Sequence, residues 1–279
     1  MKKIILEMNI ILILFLTIFL SSCEQTVENP DLPYKEQLVI RAVLEAGKIV
    51  EGIEITKTLP PLESYDYEKA LIKDAVAVIK SGDSVYPLVF DAAYGRYYAA
   101  NFIPEAGRKY FLEVKAGKMS ATASTIIPFP VEIDTFYYKF SEQTTDWGEK
   151  SWQYNVYAEF KPYSGSVYLG FSFREEGFDI WTTDEIKRIQ DTLKSGKIPL
   201  PVMHYWSYDS SYIKENIEEY TANIYSFDKQ FYYYYITRWE GDPGDDIFGT
   251  SGVNIRGNIN RGLGLFIGMA TTRKKIDLK

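Results

Sequence analysis

Short strand-like segments separated by turn clusters recur between Gln37 and Ile127, and this spacing constrains the fold most. Residues 49–55 alternate apolar and polar side chains, which is typical of a strand with one buried face. Turn clusters such as Ser81-Gly82-Asp83 separate about seven such segments at intervals of ~8–12 residues. The pattern predicts an immunoglobulin-like or fibronectin-like β-sandwich over residues 37–127.

A second β-rich domain is expected over residues 131–279. The two prolines of Ile127-Pro128-Phe129-Pro130 favour an extended connector and predict the boundary. A helix is predicted at 183–195, because Thr182 to Glu185 fits a capping box and Gly196 follows the apolar face. Val253–Ile259 and Leu263–Thr271 are predicted to be the closing strands. The fold class is therefore mainly β, with one or two short helices in the second domain.

The second helix is expected near 228–238, around the aromatic run Phe231–Tyr235. Five consecutive aromatic residues also fit a strand buried on both faces, so periodicity alone leaves two alternatives. Ser226 or Asp228 as an N-cap favours the helix.

The N-terminus has the features of an export signal. Lys2 and Lys3 precede an apolar run, Ile10–Leu20, that would span only ~16 Å as a helix. A hydrocarbon core is ~30 Å thick, so residues 1–22 are interpreted as a signal peptide and not as a membrane span. Cys23 follows a pair of serines, and this arrangement resembles the lipobox of bacterial lipoproteins. The resemblance implies a lipid on Cys23 as the attachment to the membrane.

Residues 23–36 are polar with two prolines and are interpreted as a flexible tether. Cys23 is the only cysteine, so the body has no disulfide and depends on its core for stability. The net charge of −7 disfavours a nucleic-acid partner.

No motif predicts catalysis, a cofactor or a metal centre. His204, the only histidine, lacks diagnostic neighbours and is interpreted as a structural or surface residue. Asp242, Asp245 and Asp246 could offer oxygen ligands to calcium, but ordinary turn chemistry explains them too, and both alternatives stay open.

Two further groups of residues are candidates for function. A glycosidase could use a pair of carboxylates such as those of Glu175, Glu176 and Asp179. Acidic residues in loops are mostly solvated, however, so we expect that the protein is not an enzyme. Core packing explains most of the aromatic side chains in the second half, although some could bind a ligand. Trp147 and Trp206 are the candidates, because adjoining polar loop residues predict that they are exposed.

Several stretches together resemble the domain-of-unknown-function 4249 family of Bacteroidota outer-membrane lipoproteins. The resemblance extends over about 38–270 and rests on Leu38–Ile40, Lys57–Pro60, Ile72–Val78, Gly95–Tyr98, Ile126–Val131 and Gly257–Phe266. It implies a strand-to-helix junction near Ser226–Tyr235, and it supplies no enzymatic motif.

Members of this family are often encoded near TonB-dependent transporters. The resemblance therefore implies a lipid-anchored outer-membrane protein, facing either the periplasm or the exterior, that serves a transporter as a non-enzymatic accessory binding subunit in nutrient capture. The alternative is a structural or adhesive surface lipoprotein without a small-molecule ligand.

Overall fold

The computed structural model is built almost entirely of β-strands. It describes residues 33–160, 167–175, 178–181, 187–189, 200–207, 221–239 and 255–275. Seven strands lie before Ile127: β1 (Leu38–Glu45), β2 (Val50–Lys57), β3 (Val76–Ser81), β4 (Ser84–Asp91), β5 (Arg96–Ala99), β6 (Lys109–Ala116) and β7 (Met119–Ile126).

Eight more strands follow: β8 (Ile133–Thr144), β9 (Lys150–Phe160), β10 (Val167–Glu175), β11 (Phe178–Trp181), β12 (Lys187–Ile189), β13 (Leu200–Ser207), β14 (Thr221–Phe227) and β15 (Gly262–Lys275). Two helices are described, α1 (Tyr67–Ala70) and α2 (Lys229–Trp239).

One large sheet curls around the main core. Its strand order is β11-β10-β14-β15-β1-β2-β5-β4-β3-β6-β7, with β12 paired to β10. The alternating residues of β1 and β2 place Leu38, Ile40, Ile53 and Ile55 in this core without solvent exposure. The mainly β, sandwich-like fold predicted from strand spacing is confirmed.

The long strand β15 joins the two halves of the chain. Its first half runs parallel to β1, from Leu38 opposite Gly262 to Glu45 opposite Met269, and its second half is antiparallel to β14. Phe266 of β15 is fully buried in the same core as the β1 and β2 residues.

Residues 36–279 form one compact unit, where the sequence predicted the domains 37–127 and 131–279. The two ranges are joined because β15 supplies a strand and a core side chain to the sheet that β1 begins. Strand patterning could not reveal this pairing, since a parallel neighbour is chosen by tertiary packing and not by a local turn.

Residues 255–259, within the strand predicted over 253–259, have no strand structure. The side chain of Asn258 makes hydrogen bonds there that a paired strand would otherwise make. Its Oδ1 accepts from Phe266 N (2.8 Å), and its Nδ2 donates to Phe266 O (2.7 Å) and Ser124 O (3.3 Å). One amide thus satisfies three backbone groups and links β7 to β15.

The structure decides the two helix predictions differently. The aromatic run is helical in α2, so the predicted helix near 228–238 is confirmed. Within the predicted helix 183–195, residues 187–189 form β12 and pair with β10, so the helix is wrong there. Pairing with β10 overrides the local capping signal, and the rest of that range lies outside the described residues.

A separate three-stranded antiparallel sheet has the strand order β13-β9-β8. Its base is held to β15, where Thr272 Oγ1 donates to Val131 O (2.7 Å) and Lys274 Nζ donates to Asp134 O (2.7 Å). Phe136 is buried at this base. We call the distal part of the β8–β9 hairpin, residues 141–150, the arm.

Candidate functional site

The arm ends in an exposed tryptophan. At ~3.4 Å per residue, the strand from buried Phe136 to Thr144 is about 27 Å long. Trp147 lies in the turn beyond it and is 91% exposed, whereas Ser151 on the returning strand is buried. The prediction that Trp147 is exposed is confirmed.

The turn that carries Trp147 is well defined by hydrogen bonds. Gly148 N donates to Thr145 O (2.9 Å), and Thr145 N donates to Glu149 O (2.8 Å). The Thr145 hydroxyl accepts from Glu149 N (3.2 Å). Gly148 has φ +80°, a conformation that costs a glycine little. The turn therefore presents the indole on a fixed backbone.

The charges around the indole are mostly negative. The arm contains three acidic residues, Glu142, Asp146 and Glu149, and one basic residue, Lys150. Lys150 Nζ lies 2.7 Å from Glu142 Oε1 on the strands, so the acidic side chains near the turn dominate its field.

The remaining predicted site residues are not brought to this turn. Trp206 and His204 lie in β13, opposite Gln153 and Asn155 of β9, and their predicted roles stay predictions. Cys23, Glu176 and the aspartates at 242, 245 and 246 lie outside the described residues.

The expected loop position of two acidic residues is wrong. Glu175 and Asp179 belong to the β10–β11 hairpin, opposite Phe178 and Arg174. The backbone hydrogen bonds of this pairing form a hairpin where the acidic sequence suggested a solvated loop.

A second surface feature is a groove on the outer face of β2, β5 and β4. It has a volume of about 710 Å³, and its wall includes Ile49, Glu51, Asp91, Tyr94, Arg96 and Tyr98. We call it the tyrosine groove. Sequence reasoning missed this groove. The one signal that could have indicated it is Tyr94, an aromatic residue placed in a turn.

A buried tyrosine fixes the strand that lines the groove. Tyr97 points into the core, where its hydroxyl accepts from Ala75 N (2.9 Å) and donates to Ile72 O (2.9 Å). Burial raises the pKa of Tyr97, so the phenol stays protonated and keeps both bonds. Its neighbours Arg96 and Tyr98 consequently face outward.

A break in the β2–β5 register shapes the floor of the groove. The pairing shifts between Val50 and Ile53, and Gly52 adopts φ +75° within this irregularity. A Cβ on Gly52 would lie 3.7 Å from Arg96 Nη1. The Arg96 guanidinium therefore lies next to Gly52, where no side chain intervenes, and its Nη2 lies 3.1 Å from Glu54 Oε1.

A buried carboxylate caps α2 and joins it to the sheet. Asp228 is 8% exposed, and its Oδ1 accepts from Gln230 N (2.9 Å) and Phe231 N (3.1 Å). The Thr125 hydroxyl of β7 donates to Oδ2 of the same carboxylate. Desolvation raises the pKa of Asp228, and these hydrogen bonds oppose that rise.

Asp228→Ala is expected to lower the free energy of unfolding by about 1 kcal/mol, because it removes a helix cap. Asp228→Asn should retain most of the cap through its amide oxygen. Asp66→Ala is the matched control and should cost less, because Asp66 caps only the single turn of α1 at an exposed position, whereas Asp228 also accepts from Thr125. Urea unfolding at neutral pH measures all three, and equal losses from Asp66→Ala and Asp228→Ala would contradict the buried cap.

The raised pKa also fixes the direction of a pH effect. A carboxyl that binds its proton more tightly when folded destabilises the fold while ionised, and this cost disappears as the pH falls through its folded pKa. Wild type should therefore gain stability relative to Asp228→Asn between about pH 7 and about pH 4. The opposite trend in urea unfolding would show that the hydrogen bonds outweigh desolvation.

No helix in the described ranges combines the length and apolarity that a membrane-crossing segment needs. Within the same ranges, no three His, Cys, Asp or Glu side chains are grouped as a metal site would require.

These observations define a sandwich-like β protein that carries a projecting hairpin arm and a tyrosine-lined groove. The chain belongs to the family described as "Domain of unknown function (DUF4249)", whose family model matches residues 25–275. The resemblance drawn from the sequence motifs is thereby confirmed. No curated protein matches the chain.

Proposed function

We propose that this chain is a lipid-anchored outer-membrane lipoprotein that serves a TonB-dependent transporter as a non-enzymatic accessory binding subunit. The lipid is carried by Cys23, and the tether of residues 23–36 joins it to the β body. The apolar run before Cys23 supports export. The transporter is supported as a partner because genes of this family often lie near genes for TonB-dependent transporters. The arm is the surface that docks on it.

The observation that carries this proposal is the exposure of Trp147. Burying ~200 Å² of a tryptophan side chain contributes about 5 kcal/mol before the costs of association are subtracted. An isolated hairpin turn gains nothing from displaying such a side chain to water. Tryptophan is also among the residues that most often dominate the energy of protein interfaces.

The chemistry of the arm specifies its partner. The indole needs a concave apolar pocket, and the acidic turn residues Asp146 and Glu149 favour a rim that is neutral or basic. A protein pocket satisfies both conditions. An anionic lipid surface would repel the turn.

Trp147→Ala tests the proposal directly. Tagged wild type, crosslinked in cells and purified from outer membranes, should recover a TonB-dependent transporter, quantified by mass spectrometry. Trp147→Ala should recover at least about tenfold less, since loss of an interface hot spot costs 2 kcal/mol or more. Leu62→Ala is the control, because Leu62 is also highly exposed but lies outside the arm.

Equal recovery with Trp147→Ala would remove the arm as the docking surface, and consistent recovery of no transporter would overturn the accessory role. Growth of a deletion strain on restricted nutrients distinguishes the accessory role from the adhesive alternative, since loss of an adhesive lipoprotein should cause no uptake defect. Turnover of generic ester, peptide or glycoside substrates would contradict the non-enzymatic assignment.

A further inference from the structure

We infer that the tyrosine groove is a binding site for a neutral oligosaccharide. The inference names a ligand class for the accessory role proposed above, but its evidence is separate, because none of the groove residues belongs to the arm. The groove lies on the outward face of β2, β5 and β4, where an antiparallel sheet ordinarily displays scattered polar residues.

Aromatic rings give the groove its first feature. Tyr94 is 79% exposed in the β4–β5 turn, and Tyr98 is half-buried on the adjoining strand. The turn is fixed, since Asp91 Oδ1 accepts from Ala93 N (2.8 Å) and Asp91 O accepts from Gly95 N (2.9 Å). Sugar rings present C–H groups on one face, and a positioned phenol offers them a flat apolar surface beside a hydroxyl.

Hydrogen-bond donors and acceptors both surround these rings. Glu51 and Asp91 supply acceptors, and Arg96 supplies donors held in place by Glu54. Asp91 also lies directly opposite Arg96 in the β4–β5 register. Carboxylates and a guanidinium together match vicinal hydroxyl groups, which donate and accept at neighbouring positions.

The charges disfavour an anionic ligand. Glu51 and Asp91 would repel an anion, and the pairing of Arg96 with Glu54 reduces the field of the guanidinium without removing its donors. A polyhydroxylated, uncharged chain meets no such penalty and, unlike a simple cation, offers acceptors to these donors.

The shape of the groove fits a short chain. Its volume of about 710 Å³ lies within the ~300–1,000 Å³ typical of small-molecule sites. The register shift at Gly52 leaves backbone where a side chain would otherwise stand, which deepens the floor beside Arg96. The groove is partly open to solvent, so a chain of a few sugar units could extend beyond it.

The test uses the full processed chain, purified in a detergent without a sugar headgroup so that the detergent cannot compete. Saturation-transfer NMR with maltotetraose, cellotetraose, xylotetraose and mannotetraose should show transfer to at least one of them. Titration of that sugar against Tyr94→Ala/Tyr98→Ala should show affinity weaker by about tenfold or more. Circular dichroism confirms that the variant is folded.

Two controls separate this result from the docking proposal. Phe111→Ala removes an exposed aromatic residue on β6, outside the groove, and Trp147→Ala removes the arm residue, so both should bind the sugar as wild type does. Loss of transporter recovery with retained sugar binding, or the reverse, shows which proposal fails. No transfer to any of the four sugars overturns the inference. So does unchanged affinity in the double variant, or groove-dependent binding of an extended peptide alone.

Discussion

Gly264→Ala is expected to lower the free energy of unfolding by more than about 4 kcal/mol, a loss reached only by exceptional substitutions. Gly264 lies opposite Ile40 where β15 runs parallel to β1, and its φ is +104°. A Cβ there would collide with the carbonyl oxygen of Ile40, which is backbone and cannot rotate away. The added methyl would have to separate the two strands that close the core.

A glycine with similar backbone freedom but open surroundings isolates this effect. Gly117 has φ +55° in the β6–β7 turn, with no atom within 4 Å of its notional Cβ. Gly117→Ala should cost only about 1 kcal/mol, the price of a left-handed conformation for alanine. Urea unfolding of both variants measures the difference, and equal losses would mean that the β1–β15 contact carries little of the stability.

Cys23→Ala is expected to move the protein from the membrane fraction to the soluble fraction almost completely. Attachment by two or more acyl chains is stable, so replacing the residue that carries them should release the protein. Cell fractionation with immunoblotting measures the distribution, and intact-mass analysis of wild type should find the acyl groups.

Ser22→Ala is the matched control, because it keeps a small residue beside Cys23 and should leave membrane attachment unchanged. If Cys23→Ala fractionated with membranes at the wild-type level, the lipid would not be the attachment. A soluble Ser22→Ala would instead show that the serine itself is needed for processing.

Local patterning was sufficient wherever an element depends on its own sequence. The alternation over residues 49–55 and the turn at Ser81-Gly82-Asp83 predicted strands that the structure contains. The capping carboxylate of Asp228 stands at the start of α2, where the aromatic run left helix and strand open. In each case the residues that give the prediction lie within or directly beside the element that they predict.

The failures share a different physical cause. The capping signal at Thr182–Glu185 predicted a helix that would extend over residues 187–189, but pairing with β10 makes them a strand. The apolar residues before β15 predicted a strand that the Asn258 side chain replaces. Whether such a segment becomes a strand depends on a partner distant in the chain or on the hydrogen bonds of a single side chain. The periodicity of apolar residues gives no information on either.

The sequence by itself determined the β character of the chain, its export-like N-terminus with one cysteine, and the exposure of Trp147, because these follow from composition and neighbouring residues. Only the tertiary structure decided that β15 completes the first sheet, that the arm projects from a fixed base, and that Glu51, Asp91, Tyr94 and Arg96 meet in one groove. Those features bring together segments far apart in the chain, and their geometry is set by packing.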